Sequence, residues 1–319
     1  MGRGRGHDPA PPRLAKVSPD PLRFLRCPVC GEPLTGVETG GARALRCPRG
    51  HSFDLARQGY VNLLAGRAPH AGDSPEMVTA REEFLGAGHY DLVSAALVAA
   101  ATGSAVDSGA VDPRSGSGDR PDGGTDAAYP RLVVDAGAGT GRHLAAVLDA
   151  IPDAVGLALD VSKPALRRAA RAHPRAAAAL CDTWQTLPLA DASTALLLNV
   201  FAPRNGPEFR RVLHPDGLLL VVTPAADHLT ELVEELDLLR VDPAKSDRVA
   251  GSLGNGFDLV GQSRHTHRMR LRRPEVATLV GMGPSAWHIA AARLAARIET
   301  LPEPIDVTAA VELGVYRPR

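Results

Sequence analysis

The run Val133-Val-Asp135-Ala-Gly137-Ala-Gly139-Thr-Gly141 constrains this chain more than any other stretch. An apolar strand ends in a carboxylate, three glycines alternate behind it, and a helical pattern over Leu144–Ile151 follows. Strand, glycine turn and helix in that order open a βαβ unit, whose helix must return over a parallel sheet. The C-terminal half keeps the same rhythm. Strand candidates at Leu132–Val134, Val155–Leu159, Ala176–Leu180, Ala195–Val200 and Leu218–Val222 alternate with helix candidates at Pro164–His173, Glu208–Leu213 and Thr230–Leu239. Pro164 suits a first helical turn, and Pro215 with Gly217 ends the helix before it. Phe257–Leu271 and Ile305–Tyr316 alternate enough to be strands added at one edge. The expected fold is α/β, Rossmann-like, with an open, mostly parallel sheet and helices on both faces.

At 319 residues and 44% apolar, the chain has room for two domains and a large core, and global disorder is excluded. No run of 18 uncharged apolar residues exists to span a membrane, and no apolar stretch follows the Arg/Pro/Gly-rich start, so a cytoplasmic location is expected. Lysine plus arginine equals aspartate plus glutamate, 36 each, which excludes a strongly basic nucleic-acid binder as a description of the whole chain. The charge is uneven, however: residues 1–60 hold ten cations against five acids. Five segments are expected. They are a flexible tail at 1–22, a compact cysteine-bearing unit at 23–66, a helical linker at 67–102, an insertion at 103–128 and a C-terminal domain at 129–319. The linker places Leu85, Leu92, Ala96 and Val98 on or near one face. The insertion is too rich in Gly, Ser and Asp to bury a core.

The cysteine-bearing unit pairs Cys27-Pro-Val-Cys30 with Cys47-Pro-Arg-Gly-His51. Three thiolates and an imidazole complete a tetrahedral shell for a structural zinc ion, with no position left open for catalysis. So small a unit needs such a metal to fold. Arg23, Arg26, Arg43, Arg46, Arg49 and Arg57 surround it. They fit contacts to nucleic-acid phosphates, and equally a solvated surface.

The glycine loop lacks the third glycine of the dinucleotide fingerprint, where Arg142 stands, and has no P-loop Gly-Lys-Ser/Thr. Asp135 at the strand end would repel a pyrophosphate and suits a cation such as the ammonium of a methionine moiety. Asp160 ends the next strand, placed to accept from ribose hydroxyls, or merely to cap the following helix. Asp182 follows the third strand, placed to accept from an adenine amine. With Gly137 and Gly139, these acids describe a pocket for S-adenosylmethionine at the switch point of the sheet. Asn199 and Phe201, after the fourth strand, could hold a planar base by hydrogen bonding and stacking, or simply pack the loop. His228 sits at the same rim.

Further stretches carry a resemblance: Arg57-Gln-Gly-Tyr60-Val-Asn62-Leu-Leu, Asp73-Ser-Pro-Glu-Met77, Ala80-Arg-Glu-Glu-Phe-Leu-Gly-Ala-Gly-His89-Tyr90, Leu159-Asp-Val-Ser-Lys163, Phe201-Ala-Pro203 and Thr223-Pro-Ala-Ala-Asp-His228. With the cysteine pairs they resemble the bacterial 23S rRNA (guanine-N1)-methyltransferases that modify a hairpin loop beside the peptide exit tunnel. Asn199-Val-Phe-Ala-Pro-Arg-Asn and Met282-Gly-Pro-Ser-Ala-Trp287-His resemble the Gram-positive branch, which includes tylosin-resistance methyltransferases of actinomycetes. The resemblance implies the class I methyltransferase fold with a small N-terminal zinc-binding domain. It implies zinc on Cys27, Cys30, Cys47 and His51, and RNA binding by that domain. It also implies that Tyr90, His143, Leu144 and His228 line the S-adenosylmethionine pocket, with His143 replacing the aromatic residue of other branches. A homodimer is compatible with it. Two other readings share these motifs: a small-molecule methyltransferase of an antibiotic pathway, and a non-catalytic RNA-binding zinc protein.

Overall fold

The computed structural model describes residues 20–39, 41–64, 66, 72–107, 131–238, 245–283 and 290–319. The tail at 1–19 and most of the insertion, 108–128, lie outside the described residues. Short strands β1 (Thr35–Thr39), β2 (Ala42–Arg46) and β3 (Ser52–Asp54) form an antiparallel meander in the cysteine-bearing unit. The next strand, β4 (Tyr60–Asn62), leaves that meander and pairs in parallel with β7 (Ala176–Leu180). The end of the cysteine-bearing unit is therefore the outermost strand of the main sheet.

That sheet also contains β5 (Leu132–Ala136), β6 (Val155–Asp160), β8 (Thr194–Val200), β9 (Leu213–Pro224), β10 (Phe257–Leu271) and β11 (Ile305–Pro318). Its order is β10-β11-β9-β8-β5-β6-β7-β4, parallel from β4 to β9 and antiparallel over the last two strands. The order reverses at β5, so the ends of β5 and β8 flank a crevice. The central strands are apolar on both sides because each side faces a separate core. Val133, Ala158 and Leu198 face one, and Leu132, Leu157 and Leu197 the other.

The first core is covered by α1 (Pro75–Gly86), α2 (Asp91–Asp107), α3 (Arg142–Ala150), α4 (Lys163–Ala172), α6 (Thr230–Leu236), α8 (Arg273–Gly281) and α9 (Ala291–Glu299). The second is covered by the cysteine-bearing unit, α5 (Gly206–Val212) and α7 (Lys245–Leu253).

Several elements differ from expectation. The segment expected as a linker is two helices bent by 73°. Gly88, at φ +83°, breaks the run between them. Phe84, Leu85, Val93, Ala96, Leu97 and Ala101 are buried in the first core, so these helices belong to the sheet's own packing. Leu92 and Val98 lie only at its margin. Helix α2 also runs through Gly103 to Asp107, into the start of the expected insertion. Helix α6 stops at Leu236, because Asp237 adopts the left-handed conformation at φ +56°.

Candidate active site and metal centre

Four donor atoms, from Cys27, Cys30, Cys47 and His51, lie within 4.8 Å of one another. The Cys30 and Cys47 sulfurs are 3.7 Å apart, and His51 Nδ1 lies 3.5 Å from Cys27 Sγ and 3.3 Å from Cys47 Sγ. Zinc bonds of about 2.3 Å to sulfur and 2.0–2.1 Å to nitrogen require tetrahedral edges of about 3.5–3.8 Å, so the cage already has the size of the ion. Two turns set it: Gly31 and Gly50, at φ +73° and +86°, follow Cys30 and precede His51. The unit is fixed to the main sheet through main chain. Arg26 N–H donates to Pro188 O, Ala190 N–H donates to Phe24 O, and Leu25 is fully buried.

At the crevice, Asp135 is buried with Oδ1 lacking a hydrogen-bond partner among the described residues. Burial, reinforced by the charge of Asp160, pushes its carboxyl up to about 8. The glycine loop folds over it. Gly137 and Gly139 have φ of +84° and +53°. A Cβ on Gly137 would lie 2.4 Å from that of Ala202, so glycine there lets the β8 loop close over the β5 loop. Asp160 holds the loop in turn: Oδ2 accepts from Gly139 N–H and Oδ1 from Ser162 N–H, each at 2.8 Å. Ser162, whose hydroxyl accepts from Ala165 N–H, is the cap of α4, so the capping role does not fall to Asp160. Asp182 accepts from Trp184 N–H with Oδ1, while its buried Oδ2 has no partner among the described residues.

Asn199 is fully buried, and its Nδ2 donates to Ala136 O and Pro203 O, tying the end of β5 to the β8 loop. Its nitrogen thus does what the packed-loop alternative requires, and Oδ1 has no partner among the described residues. Phe201 differs. It holds φ +52° and is 43% exposed, with its ring beside those of Tyr90 and His228 at centroid distances of 6.2 and 6.1 Å. His228 Nδ1 accepts from Ala310 N–H, so the neutral ring carries its proton on Nε2, which lies 3.1 Å from Tyr90 Oη and donates to it. Burial pushes the Tyr90 hydroxyl well above its usual range, so it stays protonated. His143 Nδ1 lies 2.9 Å from Ser94 Oγ, and burial with nearby Arg142 and Arg81 brings its ring down to about 4, so it is neutral. The Leu144 side chain packs away from the crevice, into the core against Gly156.

The zinc-ribbon family described as "RlmA, N-terminal" matches residues 25–68. A Micromonospora griseorubida protein assigned to the 23S rRNA (guanine-N(1)-)-methyltransferases is 69% identical over 302 residues, covering 95% of this chain and 100% of its own. The Streptomyces fradiae 23S rRNA (guanine(748)-N(1))-methyltransferase is 49% identical over 297 residues, covering 93% of this chain and 98% of its own. The chain belongs to the 23S rRNA (guanine-N1)-methyltransferase family.

The fold of this methyltransferase is accordingly the class I, Rossmann-like one with an N-terminal zinc ribbon, and its cofactors are S-adenosylmethionine and structural zinc. The residues at the crevice fit the former. A buried carboxylate oxygen without a partner suits an ammonium group. Each Asp160 oxygen keeps a lone pair for a ribose hydroxyl, and Asp182 Oδ2 suits an amine donor. Among the described residues no single helix is long and apolar enough to cross a membrane. Sequence reasoning assigned no role to Arg81, whose guanidinium lies against Gly139 and pairs with Asp73 Oδ2 at 2.8 Å. Its signal lay in the Ala80-Arg-Glu-Glu stretch, where a helical arginine beside two glutamates reads as a solvated face.

Proposed function

We propose that this enzyme moves the methyl group of S-adenosylmethionine to N1 of a guanine in a hairpin loop of 23S rRNA beside the peptide exit tunnel, conferring resistance to tylosin-type macrolides. The observation that carries the reading is the likeness, over nearly the full length of both chains, to the Streptomyces fradiae enzyme whose name specifies that atom of that RNA. Asp135, Gly137, Gly139, Asp160 and Asp182 hold the cofactor, with Tyr90, His143, His228 and the main chain at Leu144 lining the pocket. The zinc ribbon grips the RNA. Its Arg43, Arg46 and Arg57 are exposed and join no ion pair among the described residues, and Arg49 pairs only loosely with Glu32 at 3.6 Å. Two copies gripping one RNA, in the cytoplasm where ribosomes are made, complete the proposal.

Bound S-adenosylmethionine supplies an electrophilic methyl group on a sulfonium. The protein's task is alignment, which can contribute roughly 7–11 kcal/mol. Phe201 offers an exposed ring for the guanine to stack on, and Asn199 holds that loop to the end of β5. Leaving its own stack costs the base a few kcal/mol, least in a loop. The new N1–methyl bond forms as the sulfur–methyl bond breaks, leaving S-adenosylhomocysteine, and the N1 proton passes to solvent. His228 already bears its proton on Nε2 in this arrangement, so it positions Tyr90 and does not accept that proton.

The test is transfer from labelled cofactor to unmodified large-subunit rRNA, read by nuclease digestion and mass spectrometry. 1-Methylguanosine mapped to the tunnel-side hairpin is the expected product. Cofactor binding without transfer to RNA would instead indicate a small-molecule methyltransferase, and no cofactor binding a non-catalytic RNA-binding zinc protein.

A further inference from the structure

The amino-acid end of S-adenosylmethionine carries an ammonium and a carboxylate on one carbon. A site already holding Asp73, Asp135 and Asp160 needs a cation to accept that carboxylate. Among the described residues, Arg81, Arg142 and His143 are the basic side chains beside the glycine loop. Arg142 turns outward and pairs with Asp91 at 2.9 Å. His143 is uncharged and occupied with Ser94. Arg81 is different. Helix α1 lays it across the loop, and its Nη2 is held from two sides, by Asp73 Oδ2 and by the carbonyl of Met282, each at 2.8 Å. The guanidinium plane is thereby fixed before any ligand arrives. Its other terminal nitrogen, Nη1, has no hydrogen bond among the described residues. It lies 3.2 Å from where a Cβ on Gly139 would stand. Glycine at that position, with φ +53°, keeps the space between the guanidinium and the loop clear.

We propose that Arg81 is the counter-ion of the cofactor's α-carboxylate, opposite Asp135, which takes the ammonium. An arginine suits the task because its planar fork can keep two bonds to protein while offering a further N–H pair to a carboxylate. Asp73 and the Met282 carbonyl are then the supports that aim it. This inference rests on the S-adenosylmethionine reading above.

The test uses three ligands and equilibrium calorimetry on the full chain, without RNA. S-adenosylhomocysteine has the carboxylate, its decarboxylated analogue lacks that group alone, and methylthioadenosine lacks the whole amino-acid end. Wild-type protein should bind S-adenosylhomocysteine about 10- to 100-fold more tightly than the decarboxylated analogue. Arg81→Gln should abolish most of that gap while leaving methylthioadenosine affinity within about twofold. Equal weakening of methylthioadenosine would make Arg81 a structural strut and overturn the assignment. So would a wild-type protein that does not distinguish the first two ligands, a comparison needing no variant. Failure of the wild type to bind S-adenosylhomocysteine at all would overturn the cofactor reading itself, separately from the role of Arg81.

Discussion

Asp135 lies beneath the glycine loop with its carboxyl pushed up to about 8. A carboxyl in an unfolded chain titrates near 3.9, so the folded protein binds more protons between these values and loses stability as pH rises from about 4 to about 8. Asp135→Asn removes that penalty. At pH 7.5 without cofactor it should melt above wild type, by the equivalent of roughly 1–3 kcal/mol, and it should bind S-adenosylmethionine at least about 100-fold more weakly. The ammonium favours the ionised carboxylate, so cofactor binding to wild type below pH 8 should release a proton. Calorimetry in two buffers of different ionisation enthalpy measures that release, and proton uptake would sink the pairing. Phe201 makes the complementary case. Its φ of +52° is strained for a side-chain-bearing residue, at a cost of order 1–3 kcal/mol. Phe201→Gly should therefore be no less stable than wild type in a thermal melt. It should retain cofactor affinity, yet transfer methyl to RNA about 10- to 100-fold more slowly, as the loss of one stacking contact requires.

At the level of elements, the cysteine-bearing unit and the main sheet share a core: Cys27 and Cys47 are buried in the same cluster as Val61, Leu187 and Leu189. Cys30→Ser, or stripping the metal with a chelator, should speed hydrogen exchange through residues 25–62 and carry the effect into 187–190, while β5 and β6 keep their protection. Exchange confined to the knuckles would show that the metal holds only its own turns. This sharing was hard to see in advance. Strands β5 to β9 were legible because a strand apolar on both faces, followed by a returning helix, has few other readings. The long edge strands β10 and β11 showed by their alternation. Strand β4 has three residues and a partner more than a hundred positions away, so neither length nor periodicity marks it. Helices α7 to α9 pack behind an irregular stretch and carry no glycine loop to announce them. The site divides in the same way. Asp160 ends β6, Asp135 is next to last in β5 and Asp182 lies two residues past β7, so all three could be placed by position alone. Arg81 acts through tertiary contacts with Asp73 and Met282, and Leu144 was turned into the core by the helix face it occupies.

At the scale of the whole molecule, the net charge of zero hides an uneven distribution: residues 20–64 carry six arginines against four acids, while Asp135, Asp160 and Asp182 stand at the crevice. Replacing Arg43, Arg46 and Arg57 together by alanine should weaken RNA binding and flatten its dependence on salt. Each lost phosphate contact should reduce the slope of log K against log salt by roughly 0.7–0.9. Affinity for S-adenosylmethionine should be unchanged, and an unaltered salt slope would remove these arginines from the interface. The pairing of β4 with β7 has a consequence of its own. An RNA-binding module on a loose tether raises the local concentration of substrate and leaves the methyl donor free to sample neighbouring bases. A module welded into the catalytic sheet makes the enzyme a caliper instead. With the ribbon gripping RNA as proposed, the gap between its arginines and the glycine-loop crevice is set by the sheet, and the base expected to be methylated is the one that the folded RNA presents at that distance.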